Sequence, residues 1–151
     1  MSTVNKHSES KYSAYLEREL RSDHAGETGA VYIYKGIIAV AALRKDRQLM
    51  SFAQHHGATE VEHLQLIESV LALKYRSRLL GPWRLAGWLT GALPALFGKK
   101  AVYATIDAVE TFVEQHYQQQ IDHLQSELIK LKAENDVLNL ERRALSENMQ
   151  V

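Results

Sequence analysis

The apolar positions of this chain recur every three or four residues, the spacing of one face of an α-helix. One such stripe runs through residues 12–44, a second through residues 46–75, and a third from residue 100 onward. The third contains no glycine and no proline, so nothing in its local chemistry interrupts a helix. The pattern predicts an all-α fold with three long core helices.

A glutamate lies inside the apolar stripe of each predicted helix, at Glu27, Glu60 and Glu110. A buried carboxylate is costly without a partner, so we expect a cation or a metal ion opposite Glu27. Residues three apart share a helix face, so Glu60 and His63 present a carboxylate and an imidazole side by side, whereas Glu62 faces elsewhere.

That donor pair is what an oxygen-activating iron pair takes from one helix. A single Glu-x-x-His is common on solvated helices, but two further inward glutamates on other helices favour a metal site. The sequence therefore predicts Glu27, Glu60, His63 and Glu110 as metal ligands.

Several neighbours of these glutamates have two explanations that the sequence leaves open. Gly26 and Gly29 allow the close approach of either a helix or a ligand. His24 is either a hydrogen-bonding partner of the site, which we favour, or a core histidine. Tyr117 shares the face of Glu110 and is our candidate catalytic side chain, although a tyrosine in this setting is more commonly part of the core.

Residues 78–100 have a different composition and hold both prolines and both tryptophans. Their uncharged part is too short to span a bilayer, and Pro94 interrupts it. Trp83, Trp88 and Phe97 beside arginine and lysine are typical of a segment that lies at a membrane interface or faces a lipid substrate. The alternative is a buried crossover within the bundle.

The composition of the chain limits the classes of protein to which it can belong. With 151 residues, 46% of them hydrophobic and 24% charged, the chain has the composition of one globular domain, predicted over residues 12–151 after a disordered segment 1–11. The formal net charge of +0 does not favour nucleic acid, and the absence of cysteine excludes disulfides and thiolate chemistry. The polar opening segment predicts neither a signal nor a transit peptide.

Three motifs resemble, in the same order, the demethoxyubiquinone hydroxylases of ubiquinone biosynthesis. They are Asp23-His24-Ala25-Gly26-Glu27, then Glu60-Val61-Glu62-His63, and then Ala108-Val109-Glu110 followed by His116-Tyr117 with Gln120, within a likeness over residues 15–124. The resemblance implies a ferritin-like bundle in which Glu27, Glu60, His63 and Glu110 match family ligands of two ferrous ions. It also implies hydroxylation of the ring of a polyprenyl methoxy-methyl-benzoquinol, demethoxyubiquinol, with oxygen as co-substrate.

The resemblance further implies peripheral membrane contact through the insert of residues 78–100, expected at the cytoplasmic face of the cell membrane. The polyprenyl quinol is the expected substrate, and self-association or other ubiquinone-biosynthesis proteins are the expected protein partners. Electrons would come from NADH directly or through the quinol. No glycine-rich nucleotide fingerprint is present, which predicts the absence of a dedicated NAD domain.

The sequence departs from that family in one respect. The family's last helix supplies a second Glu-x-x-His, whereas His116 and His123 are preceded three positions earlier by Val113 and Gln120. Four ligands remain of the six that such a bundle uses. The explanations are a chain that stops before its fourth helix, a helix supplied by a partner, or a degenerate relative. A truncated or degenerate relative would be a non-catalytic bundle that docks on membranes and holds quinone lipid or a protein.

Steps of three and four continue beyond Tyr117 and form a seam, which comprises Tyr117, Ile121, Leu124, Leu128, Leu131, Asn135, Leu138, Arg142 and Leu145. Such a seam belongs either to a short coiled coil, whose buried asparagine sets the register, or to the inward face of a bundle helix. The bundle face is the more common case.

Overall fold

The computed structural model describes residues 12–148, with side chains up to residue 143. Four helices follow one another, namely α1 (Ala14–Leu43), α2 (Arg47–Val70), α3 (Leu80–Phe97) and α4 (Lys99–Asn148), with a 3₁₀ turn at Leu73–Tyr75. The all-α prediction is confirmed, and the helix order agrees with a ferritin-like bundle that carries an insert, α3, between its second and third core helices. The predicted disorder of residues 1–11 lies outside the described range.

The chain divides into two compact units, Met1–Asp107 and Ala108–Val151, with the boundary inside α4. The first unit contains α1, α2, α3 and the start of α4, and the second consists of the remainder of α4. A single domain over residues 12–151 remains a prediction.

Helix α1 is the centre of the first unit, because both α2 and α3 pack against it. Ser13 caps α1 by accepting the backbone N–H of Leu16 at 3.2 Å. Asp46 caps α2 in the same way by accepting from Leu49 at 3.0 Å. Only three residues separate these two packed helices, and so short a connection makes them antiparallel neighbours.

Helix α2 ends five residues before the end of the predicted stripe, at Val70 instead of residue 75. Leu71 is extended, with φ −99° and ψ 110°, and its side chain is buried. The Arg76 guanidinium then donates to the carbonyl oxygens of Glu68 at 2.9 Å and Leu71 at 3.3 Å. These bonds satisfy carbonyls that the end of a helix leaves without intrahelical partners.

Glycines allow the backbones of α1 and α3 to come into direct contact. A Cβ atom added to Gly36 would overlap the carbonyl oxygen of Trp88, and one added to Gly91 would overlap that of Ile33. A Cβ atom added to Gly87 would overlap the carbonyl oxygen of Gly29, whereas one added to Gly29 itself would make only ordinary contact with the Trp83 ring, at 3.8 Å. A Cβ atom on Gly26, by contrast, would meet no heavy atom within 4 Å.

The apolar helix α3 divides its surface between two environments. Its small residues are buried, namely Gly87, Gly91, Ala92 and Ala95. Its large side chains are exposed, among them Leu85, Leu93, Leu96 and Phe97. The insert therefore contributes to the core and also presents an apolar surface. Among the described residues, no helix is both long and apolar enough to cross a membrane.

Candidate metal centre

Helices α1 and α2 bring three of the predicted ligands together. Glu27, Glu60 and His63 each offer one ligand atom, and these atoms all lie within 4.8 Å of one another. The Nδ1 atom of His63 is 3.4 Å from Oε2 of Glu60 and 3.8 Å from Oε2 of Glu27. The group therefore joins two helices at one point of the first unit.

The group, which we call the Glu27 group, lies at the edge of the core. The side chains of Glu27 and Glu60 are 8% and 13% exposed, whereas that of His63 is 54% exposed. Two shielded carboxylates and an accessible imidazole are hard and borderline donors, which suit iron and manganese more than metals that prefer thiolates. The donor set fits an iron ion, and the ligand roles themselves remain predictions.

His24 lies one turn before Glu27 and is 1% exposed. The backbone N–H of Ser77 donates to its Nδ1 atom at 3.4 Å, which leaves Nε2 as the N–H that donates to Oε1 of Glu68 at 3.2 Å. The same Glu68 oxygen lies 2.9 Å from Nη1 of Arg76. With both ring nitrogens engaged, His24 connects α1 to the end of α2 and to the segment that follows.

The sequence interpretation did not include Glu68 or Arg76 among the functional residues. Glu68 follows Glu60 by eight residues, a spacing that returns to the same side of a helix. That spacing could have indicated that Glu68 faces α1, but it does not identify the residue of α1 that Glu68 contacts. The structure shows His24 as a link between helices, and its role as an accessory to the metal ligands remains a prediction.

Glu110 and Tyr117 belong to the second unit, on α4. Glu110 is exposed and Tyr117 is half-buried. The Tyr117 ring lies 6.0 Å from the ring of His116, and Nε2 of His116 is 2.9 Å from Nε2 of Gln120. The metal-ligand role of Glu110 and the catalytic role of Tyr117 remain predictions.

The predicted membrane-facing residues all lie on α3 and reach its surface. Trp83 is 46% exposed, Trp88 is 38% exposed and Phe97, the last residue of the helix, is 83% exposed. Arg84 lies beside them, with its guanidinium carbon 5.7 Å from the centre of the Tyr32 ring. Rings and cations are thus adjacent on this surface, and its contact with membrane or substrate remains a prediction.

Known proteins resemble the chain over most of its length. The family described as "Ubiquinone biosynthesis protein COQ7" matches residues 14–150. The "3-demethoxyubiquinol 3-hydroxylase" of Rhodospirillum rubrum is 39% identical over 131 residues, which cover 85% of this chain and 61% of that protein. No solved structure gives a significant match.

Two eukaryotic relatives show the same likeness. The "5-demethoxyubiquinone hydroxylase, mitochondrial" of Saccharomyces cerevisiae is 36% identical over 114 residues, 74% of this chain and 48% of that protein. The "NADPH-dependent 3-demethoxyubiquinone 3-hydroxylase, mitochondrial" of Homo sapiens is 35% identical over 116 residues, 76% of this chain and 52% of that protein. The chain thus spans about half to three fifths of the length of these relatives. The resemblance found in the motifs is confirmed, and the chain belongs to the ubiquinone biosynthesis protein COQ7 family.

Proposed function

We propose that this chain acts as an oxygen-dependent hydroxylase of the demethoxyubiquinol ring in ubiquinone biosynthesis, with two iron ions as its cofactor. The observation that carries the proposal is the Glu27 group, whose three ligand atoms lie within 4.8 Å of one another. The printed names of the relatives, which describe hydroxylation of demethoxyubiquinol or demethoxyubiquinone, support this choice of substrate.

Glu27, Glu60, His63 and Glu110 are the residues that we assign to the iron ions. Bound iron would supply the activation of oxygen, which side chains alone do not provide. Glu60 and His63 come from a single helical turn, so their spacing is fixed by the backbone. Glu27 comes from the most buried helix of the first unit, and its surroundings keep water from that side of the site. Tyr117 contributes a phenolic hydroxyl to the reaction.

A complete pair of ions needs donors beyond these four. We propose that the remaining donors are other carboxylates of the chain or groups of a neighbouring chain. This requirement makes the iron content the first quantity to measure.

We place the exposed rings of α3 at the surface of a membrane, where the polyprenyl quinol is dissolved. Trp83, Trp88 and Phe97 would lie among the lipid head groups while Arg84 meets their phosphates. The contact is peripheral and, in this proposal, on the cytoplasmic face of the cell membrane. Because the human relative is named as NADPH-dependent, we propose a nicotinamide nucleotide as the reductant, acting directly or through the quinol.

The test begins with iron bound per chain after anaerobic reconstitution with ferrous iron. We expect about two ions in the unmodified chain, the number that a di-iron bundle holds, and their loss in Glu60→Ala and His63→Ala. Glu62→Ala is the matched control, because Glu62 lies on the same turn but faces away from the group. Turnover of demethoxyubiquinol under labelled oxygen should then give labelled product, and iron-loaded protein that forms none would contradict the proposal.

A second candidate is a non-catalytic bundle that docks on membranes and holds quinone lipid or a protein partner. Its specific support is the sequence after His63, in which His116 and His123 do not form a second Glu-x-x-His. It predicts that lipid vesicles bind the protein while iron stays below one ion per chain. The iron measurement therefore separates the two candidates.

A further inference from the structure

The second unit is a single stretch of helix that carries the seam defined above. Because Tyr117 is assigned to the reaction, the part of the seam that is open to a partner runs from Ile121 to Leu145. Written as heptads, it has Ile121, Leu128, Asn135 and Arg142 at the a positions and Leu124, Leu131, Leu138 and Leu145 at the d positions. The alternation of three and four residues is unbroken over this length. A strict repeat of this kind is the signature of a coiled coil.

Within the second unit, as far as the structure describes it, no other element covers this seam. Leu124, Leu128, Leu131 and Leu138 are between 41% and 62% exposed. Leucines in this pattern stabilise a helix when they pack into the holes of a facing helix. The seam therefore requires a partner from outside the unit.

We propose that the seam binds a second copy of this chain and that the two copies form a parallel, in-register, two-stranded coiled coil. The proposal needs no metal ion and goes beyond the proposed hydroxylase function. It is tested on the metal-free full chain, so its failure and that of the hydroxylase proposal are distinguishable.

The charges beside the seam favour the parallel direction. The g positions of these heptads are all glutamate, namely Glu127, Glu134 and Glu141, and Lys132 occupies an e position. In a parallel pair, Glu127 of one copy lies opposite Lys132 of the other, twice per dimer by symmetry. An antiparallel pair would instead place glutamates against glutamates. The bond from Lys130 Nζ to Glu127 within one copy uses Oε1 at 2.9 Å and leaves Oε2 for the other chain.

The polar seam residues fix the register. Asn135 meets its own counterpart only when two copies run parallel without a shift, and an asparagine pair at an a position selects that arrangement. Arg142, also at an a position, then lies beside Glu141 of the second copy. Leucine at every d position from 124 to 145 is the usual choice in two-stranded coiled coils.

The first experiment uses sedimentation equilibrium to compare substitutions at two adjacent apolar residues, Leu128 and Ile129. Leu128 is in the seam and is 52% exposed, whereas Ile129 is off the seam and is 68% exposed. We expect a dimer at micromolar concentration for the unmodified chain and for Ile129→Glu, and a monomer for Leu128→Glu, all with unchanged helix content by circular dichroism. An unmodified chain that is monomeric, or equal effects of the two variants, would overturn the proposal.

The second experiment tests direction and register, and the absence of cysteine makes it unambiguous. A single cysteine at position 135, in Asn135→Cys, should form a disulfide-linked dimer on mild oxidation, and one at position 129, in Ile129→Cys, should not. Lys132→Glu should weaken the dimer about tenfold, because two attractive pairs become repulsive, and added Glu127→Lys should restore it. Cross-linking at position 129 but not at 135 would refute the parallel register.

Discussion

The Nε2 atom of His24 lies 3.2 Å from Oε1 of Glu68 and joins the middle of α1 to the last turn of α2. The turn after Leu43 closes one end of this helix pair, and the His24–Glu68 bond closes the other, with the Glu27 group between them. The separation of Glu27 from Glu60 and His63 is thus fixed from both sides.

We expect Glu68→Ala to destabilise the metal-free protein by about 1–3 kcal/mol, because it leaves the buried Nε2–H of His24 without an acceptor. Glu68→Gln should cost less, since its amide oxygen still accepts that bond. Urea unfolding measures both. Glu62→Ala, on the exposed side of the same helix, should change stability by less than about 0.5 kcal/mol. Equal losses in Glu62→Ala and Glu68→Ala would show that the bond contributes nothing.

The backbone contact between α1 and α3 makes a second prediction. Gly36→Ala should destabilise the protein by about 1–3 kcal/mol, because the added methyl group overlaps the Trp88 carbonyl oxygen and forces the helices apart. Gly26→Ala on the same helix meets no atom within 4 Å and should stabilise it by about 0.5–1 kcal/mol through helix propensity. We expect the urea midpoint to fall in Gly36→Ala and to rise in Gly26→Ala, relative to the unmodified protein. Shifts in the same direction would contradict the packing argument.

Asp46 gives a prediction on acid stability. Its hydrogen bond from the Leu49 N–H, assisted by Lys99, holds the pKa of this carboxyl below its usual value of 3.8. A carboxylate whose pKa is lower in the folded state stabilises the fold above its unfolded pKa, and that stabilisation is lost as the pH falls through the lower, folded value.

We therefore expect the unmodified protein to lose more stability than Asp46→Asn as the pH is lowered from about 5 to about 2, across the lowered pKa. Thermal melting at several pH values measures the difference. Asp122→Asn, at an exposed position inside α4, is a control for the removal of a carboxylate that caps no helix. Parallel curves for the unmodified protein and Asp46→Asn would rule out the assigned role of this charge.

The surface of α3 is tested with lipid vesicles. Phe97→Ser should weaken cosedimentation with vesicles of neutral and anionic lipids about 10- to 150-fold, because burial of one phenylalanine contributes about 1.5–3 kcal/mol. Phe112→Ser is the matched control, since Phe112 is 70% exposed but lies in the second unit. If both variants bind as the unmodified protein does, α3 is not the membrane contact.

The periodic stripes predicted the helices well because amphipathic spacing is a local property. The expected helix at residues 12–44 is observed as Ala14–Leu43, and the stripe that begins near residue 100 is observed from Lys99. The end of α2 was missed because no glycine or proline marks it; the backbone turns extended at Leu71, and Arg76 then bonds the last carbonyl oxygens. A guanidinium that folds back onto carbonyl oxygens leaves no mark in the hydrophobic pattern.

The meeting of Glu27 with Glu60 and His63 was expected from their inward positions on two helices, and the structure brings them together. The partner of His24 was not predictable, since Glu68 is 44 residues away and only the packing of α1 on α2 makes it a neighbour. The sequence left two alternatives for the insert, a membrane-facing segment or a buried crossover, and each assumed a single environment around α3. The helix has two, because glycine lies on one side and large apolar side chains lie on the other.

The three donors of the Glu27 group come from one helical hairpin, between residues 27 and 63. Low contact order speeds folding, and closing so short a loop costs little chain entropy. The hairpin can therefore form before α3 docks onto α1. We therefore expect the Glu27 group to assemble in a fast, local event that needs only α1 and α2.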